Sequence, residues 1–448
     1  MRNLAVVTVV LLFNTVTVCA QGGNEIPYDV AGRKARVLEK IDAEITSLDA
    51  LYKSLHSHPE LSYEEEKTAA RMAKELKPLG FEITQNVGGH GVVGVLKNGD
   101  GPTVLVRTDM DALPIVEMTD LPYASKVRAR DRDGNDVGVM HACGHDMHMT
   151  CWVGTARVLA GLKKQWRGTL VFIAQPAEEV GAGARKMLED GLFKRFPRPD
   201  YCLGLHCDSR LAHGQVGYTE GLSLVNVDSV DIVVKGKGGH GSAPHTTIDP
   251  IVLSARIILD LQTIVSRENN PLDPVVVTVG SIHGGTKHNI IPAEVKMQLT
   301  VRTTKDDVRA RVLEAIPRIA KAAALGAKAP EPVIRVDQAN FTPALYNTVD
   351  LARKTSKVFR ATLGADKVIL QEPLMGGEDF SRYGREGIPS FFFFLGTLEP
   401  ARVEAMRKGK TAPISLHSDL YYPVPEPSMR TGVLSMSMAA LHLLKETK

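Results

Sequence analysis

The chain has 448 residues, 44% of them hydrophobic and 23% charged, and a formal net charge of +3. That length exceeds a usual single core and points to two domains, with the composition of a globular enzyme. So small a charge, spread along the chain, excludes a polyanion-binding footprint, and no nucleic-acid partner is expected.

Arg2, the apolar run Leu4 to Phe13 and the small-residue end Val18-Cys19-Ala20 read as a cleaved secretory signal over residues 1–20. An exported protein, periplasmic or secreted, is therefore expected. A lipid anchor on Cys19 is the alternative, opposed by Val18 where a smaller residue belongs. The run is shorter than the roughly 20 residues of a spanning helix, and no membrane span is expected later. Cys143, Cys151, Cys202 and Cys207 are too sparse for a disulfide scaffold, and Cys202 and Cys207 are expected to be buried and unpaired.

Val37, Ile41, Leu48, Leu51 and Leu55, then Ala69, Met72, Ala73 and Leu76, recur at helical spacing. They predict two helices, broken at Pro59, with Ser62 capping the second. Strands follow at 92–96 and 102–107, the second running into Asp109 and Asp111. The pattern repeats, 168–175 running into Glu178 and Glu179, and 200–205 into His206. Buried strands separated by helical stretches, each ending in acids or an imidazole, predict an α/β fold. Its catalytic domain is a mostly parallel sheet with helices on both faces and a ligand crevice at the strand ends.

The segment 140–148 holds His141, Cys143, His145, Asp146 and His148. Cys143 and His145, two apart around Gly144, can converge on one ion at roughly 2.0–2.3 Å. The spacing alone fits polar residues around a turn equally well. Taken singly, Glu178 and Glu179 fit a solvated pair at a helix start, and His206 a satisfied core histidine.

Composition shifts near Gly217. A strand at 227–234, a Gly-rich turn at 236–241 presenting His240, a helix at 249–267, strands at 275–282 and 295–302 and a helix at 306–323 predict an inserted α+β domain. It spans 219–335, between the segments 21–218 and 336–448 of the main domain. The turn lacks the Lys-Ser or Lys-Thr of a phosphate loop. Arg302 suits a carboxylate bidentately, though a surface role also fits it, and Asn289 is a further polar candidate. The chain then returns to the first pattern with a helix at 351–363, an acidic turn at Glu378 and Asp379, a strand at 389–395 and His417 before a last helix at 429–444. Phe391 to Phe394 read as core.

His-Pro-Glu-Leu-Ser at 58–62, Asp-Met-Asp-Ala-Leu-Pro at 109–114, Met-His-Ala-Cys-Gly-His-Asp at 140–146 and Gln-Pro-Ala-Glu-Glu at 175–179 carry a resemblance. Gly-Lys-Gly-Gly-His at 236–240, His-Asn-Ile-Ile-Pro at 288–292 and Leu-His-Ser at 416–418 continue it in order. The chain resembles the metallopeptidase family that contains hippurate hydrolases, auxin-conjugate hydrolases, N-acyl amino acid amidohydrolases and related carboxypeptidases.

The resemblance implies two divalent metal ions bridged by Cys143, one also held by His145 and His206, the other by Glu179 and His417. Thiolate and imidazole donors suit Zn, Mn, Co or Ni better than Ca or Mg. It also makes Glu178 the general base toward metal-activated water. Asp111 becomes the carboxylate that orients a ligand imidazole, His240 the oxyanion stabiliser, and Asn289 and Arg302 contacts to the substrate. The implied reaction is hydrolysis of the amide bond of N-acyl amino acids. The alternative is a secreted metallo-carboxypeptidase or dipeptidase using the same centre on short peptides. The resemblance further implies that the inserted domain is a lid or dimerisation unit; a homodimer through it is expected, with His240 acting within its own chain or across the pair.

Overall fold

The computed structural model describes residues 29–338 and 341–447, so the expected leader at 1–20 lies outside the described residues. The first helix, Val30–Ser57, starts on Asp29, whose carboxylate accepts the Gly32 N–H at 2.8 Å, and stops before Pro59. The second, Glu66–Leu76, is not capped by Glu65 before it; the Glu60 carboxylate accepts its Lys67 and Thr68 N–H at 3.3 and 2.8 Å. Ser62, expected to cap it, instead donates its hydroxyl to Asp111 Oδ2 at 2.6 Å.

The main sheet runs in the order Glu82–Val87, Gly91–Asn98, Trp166–Gln175, Thr103–Asp109, Tyr201–Ala212, Ser390–Leu398, Val216–Tyr218 and Val368–Leu370. Its four central strands, from Trp166–Gln175 to Ser390–Leu398, are parallel. Antiparallel pairs flank them on both sides. Successive side chains of a strand point to opposite faces, so Val104, Val106, Phe391 and Phe393 enter one core with the helices Val30–Ser57, His145–Gly161 and Pro425–Leu443. Leu105, Phe392 and Phe394 enter the other, with Met187 and Tyr383. The four consecutive phenylalanines are thus shared between two cores and offer no stacking platform.

Two details differ from the sequence expectations. Residues 91–98 and 103–109 are close in sequence, yet Trp166–Gln175, almost entirely buried, pairs between them. The strand carrying His206 runs on to Ala212, because Ser390–Leu398 pairs along its whole length, so His206 stands mid-strand.

The insert is a separate antiparallel sheet, Val275–His283, Glu294–Thr303, Asn226–Lys235 and Val333–Val336, with the helices Pro250–Thr263 and Asp306–Gly326 packed on it. Alternation explains the single covered face: Val230, Ile232 and Val234 point inward together with Val295, Met297, Leu299 and Val301. The strand Val333–Val336 was not anticipated and runs past 335, where sequence placed the boundary. Short strands Gly221–Leu224 and Leu345–Asn347 pair antiparallel where the chain leaves and rejoins the main body. Cys143, Cys151, Cys202 and Cys207 are all buried and free. No helix among the described residues is long and apolar enough to cross a membrane.

Candidate metal centre

The ends of the parallel strands Thr103–Asp109 and Trp166–Gln175, the middle of the parallel strand Tyr201–Ala212 and two loops deliver the polar groups to one place. Gly144 opens the helix His145–Gly161 with φ +82°, and a Cβ there would stand 2.9 Å from Cys207 Sγ. Glycine is therefore required for the Cys-Gly-His turn to close against the strand Tyr201–Ala212. Cys143 Sγ lies 3.4 Å from His206 Nε2 and 3.3 Å from His417 Nε2. His145 Nε2 is 3.8 Å from Glu179 Oε1 and 3.9 Å from Glu178 Oε2, while His417 Nε2 is 3.5 Å from Glu179 Oε2. Cys143, His145 and His206 form one group able to hold an ion, and Cys143, Glu179 and His417 form a second. The thiol is common to both.

The residues fit divalent metal ions on several grounds. His145 donates Nδ1–H to the Asp111 carbonyl at 2.7 Å, and His206 donates Nδ1–H to the Cys207 carbonyl at 2.8 Å. Each imidazole is thereby fixed with its Nε2 lone pair facing the centre, the orientation a metal ligand needs. His145 Nε2 and Glu179 Oε1 are buried without a hydrogen-bond partner among the described residues. The side chains also leave the pocket short of positive charge. Burial opposes the His145 cation, yet Asp109, Asp111 and Glu179 lift it to about 10. Burial raises Glu179 to about 7, and burial followed by Glu378 and Glu179 raises Glu178 well above the usual carboxylate range. Cations bound among these groups relieve both effects.

Asp109, His145 and His148 form a further group of metal-ligating type. His148 is already committed, because its Nε2 accepts the Cys207 N–H at 2.8 Å and its Nδ1 donates to Asp109 Oδ1 at 2.7 Å.

Asp111 meets His145 twice: its backbone carbonyl accepts Nδ1–H at 2.7 Å, and its carboxylate Oδ1 stands 3.5 Å from the same nitrogen. The carboxylate also accepts the Glu178 N–H at 3.1 Å and the Glu179 N–H at 3.0 Å. Sequence reading passed over Arg107, which is buried and donates to Asp109 at 2.6 Å, Glu378 at 2.8 Å, Asp379 at 3.1 Å and Gln175 at 3.1 Å. A charged residue directly after the apolar run 104–106 was its only signal.

His56 was likewise missed. It is buried between Asp146 Oδ2 at 2.6 Å and Glu117 Oε1 at 3.0 Å, and it holds the residue next to His145. Burial works against its charge, but Asp146 and Glu117 outweigh burial and raise it to about 9, against about 6.5 in the unfolded chain. A raised folded value means the stabilisation is complete below about pH 6.5 and is lost as pH rises through about 9. It amounts to on the order of 3 kcal/mol. His56→Ala should therefore lower unfolding free energy by about 3–5 kcal/mol at pH 6, leaving two buried carboxylates unpaired. Denaturant titrations at pH 6 and pH 9 check this, and the gap between wild type and variant should narrow at the higher pH.

A cavity of about 880 Å³ joins Cys143, Glu178, Glu179, His206 and His417 to Arg302 of the insert. Apolar walls come from Leu224, Leu374, Phe394, Met406 and Ile414. Arg302 Nε donates to Thr300 Oγ1 at 3.0 Å, and no carboxylate among the described residues is paired with it. His240 and Asn289 are not brought to this cavity. Both are exposed, and their segments pair with each other, Gly241 N–H donating to the Asn289 carbonyl at 2.8 Å.

Residues 105–407 match the model of peptidase family M20/M25/M40. The chain is 35% identical over 416 residues to thermostable carboxypeptidase 2 of Saccharolobus solfataricus, covering 90% of this chain and 98% of that one. It is 38% identical to N-acetylcysteine deacetylase of Bacillus subtilis, covering 79% and 88%. Among solved structures, the Bacillus subtilis YXEP protein, described as a dinuclear metal binding peptidase from the M20 family, superposes with a TM-score of 0.72 at 32% identity, covering 90% and 99%. With the family model matched over residues 105–407, a shared fold and nearly full-length coverage of relatives above 30% identity, the chain belongs to peptidase family M20/M25/M40.

Proposed function

We propose that this hydrolase of amide or peptide bonds cleaves N-acyl amino acids carrying an apolar acyl group, with Glu178 as general base. The observation that carries the reading is one cavity lined by four soft or anionic donors, Cys143, Glu179, His206 and His417, with an additional carboxylate at Glu178 and an arginine with no acidic partner among the described residues. Two divalent ions held by Cys143, His145, His206, Glu179 and His417 would supply Lewis acidity, polarising the amide carbonyl and acidifying the attacking water.

The chain's own groups do the rest. Glu178 accepts a proton from the water as its oxygen attacks the carbonyl carbon. Glu178 then returns that proton to the nitrogen as the C–N bond breaks, releasing a carboxylic acid and an amino acid. Burial and the neighbouring Glu378 and Glu179 make the Glu178 carboxylate more basic, which suits the first transfer. Arg302 binds the carboxylate of the substrate's amino acid half.

The charges in the cavity favour an acylated nitrogen over a free one. Besides Glu178 and Glu179, the only lining carboxylate among the described residues is Asp208, and it is held by Arg210 at 2.6 Å and Gln371 at 3.0 Å. No acid is left over for the ammonium of a dipeptide. The test is release of free amine from hippurate, N-acetyl amino acids and dipeptides, with and without chelator. Chelator-sensitive release from the acylated substrates supports the proposal, whereas release from dipeptides alone would favour the peptidase alternative. Arg302→Ala should raise KM for N-acyl amino acids by about 10- to 100-fold, the worth of a charge-assisted contact, and leave KM for the matching carboxamides unchanged.

Two further parts of the proposal concern context. Export through residues 1–20 is checked by the amino-terminal sequence of the mature protein. Pairing of two chains through the insert is supported by its open edge strand Val275–His283 and by exposed Val252, Leu259 and Ile282. Light scattering at the mass of a single chain would count against it.

A further inference from the structure

Glu65 is a buried acid that the mechanism above does not use, with 0% of its surface exposed. Its Oε1 accepts two backbone donors, the Ala177 N–H at 2.8 Å and the Tyr63 N–H at 3.0 Å. Both donors belong to non-glycine residues in the left-handed region, Ala177 at φ +53° and Tyr63 at φ +73°. That conformation disfavours an L-residue and persists only where its surroundings impose it.

Ala177 immediately precedes Glu178 and Glu179, whose own N–H groups end on the Asp111 carboxylate. Three successive amides at the end of the strand Trp166–Gln175 are therefore gripped by two carboxyl groups. One comes from Glu65, at the start of the helix Glu66–Leu76, and the other from Asp111.

We propose that Glu65 is a positioning residue for amide hydrolysis, its Oε1 fixing the left-handed turn at Ala177 and so aiming Glu178 and Glu179. The inference rests on the functional reading above for its kinetic part only. What matters is the reach of the side chain, since Oε1 must span two strained amides at once. Burial and then Asp111 push Glu65 up to about 8, so its charge is dispensable near neutral pH.

Two conservative variants separate reach from charge. Glu65→Asp keeps the acid and withdraws the oxygen by one methylene; Glu65→Gln removes the charge and keeps an acceptor at full reach. Glu65→Asp should lose on the order of 10²-fold in kcat with KM within about threefold, as expected when a catalytic group is displaced by about 1 Å. Its affinity for zinc, measured by competition with a chromophoric chelator, should fall about tenfold through misdirected Glu179. Glu65→Gln should keep most of what Glu65→Asp loses in both measurements. The proposal is overturned if both variants match wild type, or if Glu65→Gln is as impaired as Glu65→Asp. Should wild type hydrolyse none of the acylated substrates, the functional reading fails while the zinc competition still decides the role of Glu65.

Discussion

Glu178→Gln should lower kcat by about 10²- to 10⁴-fold, the usual contribution of a positioned acid–base group, while the chain keeps its metal. The substitution preserves shape and the backbone bond from the Glu178 N–H to Asp111, so the fold of the turn should persist. It removes a carboxylate oxygen that stands 3.9 Å from His145 Nε2 without belonging to the proposed ligand set; the other such oxygen, Asp109 Oδ2 at 3.8 Å, is already held by Arg107. Its neighbours strengthen the expectation. Glu378 and Asp379 gather with Glu178 in one buried acidic group, and Arg107 beneath them offsets part of their charge. The base thus works in a fixed, largely desolvated field that a neutral amide cannot exploit. Full turnover in Glu178→Gln would show that another group takes the proton. Metal content by elemental analysis, alongside kcat, separates loss of the base from loss of the centre.

Cys143→Ala should remove metal and activity together. The thiol is within 3.4 Å of His206 and 3.3 Å of His417, and it is shared by both candidate ion groups. Deleting it weakens two sites at once, whereas deleting His206 or His417 weakens one. Because metal ions contribute several kcal/mol of transition-state stabilisation, the expected fall in kcat/KM is on the order of 10³-fold or more. Burial, with Glu179 and Glu178, pushes the Cys143 thiol well up from its ordinary value. A bound cation is what makes the thiolate form favourable there, so metal binding should release protons and strengthen as pH rises. A Cys143→Ala chain that binds two ions as tightly as wild type would contradict the shared-ligand assignment.

The parts of the site that the sequence made legible are those tied to local pattern. Asp109 and Glu178 follow runs of apolar strand residues, and the Cys143-Gly144-His145 turn announces itself by composition and by the glycine it needs. The resemblance supplied His417, which meets Cys143 across 274 positions of chain and which no spacing argument could have paired with it. Three kinds of feature were not legible. Strand order was hidden, because Trp166–Gln175 enters between neighbours in sequence through long-range pairing. Partners of buried charges were hidden too: nothing local links Arg107 to Glu378, His56 to Asp146, or Ser62 to Asp111. Finally, His240 and Asn289 carry motif residues yet stand outside the cavity, since where the insert rests against the catalytic body is a matter of tertiary packing. Arg302, on the same insert, does reach the cavity, and it was the least conspicuous of the three in the sequence.

The central claim is a hydrolytic centre of two divalent ions built on Cys143, His145, Glu179, His206 and His417. Its most direct test strips the protein of metal with chelator and adds back zinc or manganese in steps, measuring bound metal and amine release from an N-acyl amino acid on the same samples. The account predicts no turnover in the stripped protein, recovery in step with metal, and saturation at two ions per chain. Undiminished turnover by protein shown to hold no metal would contradict it.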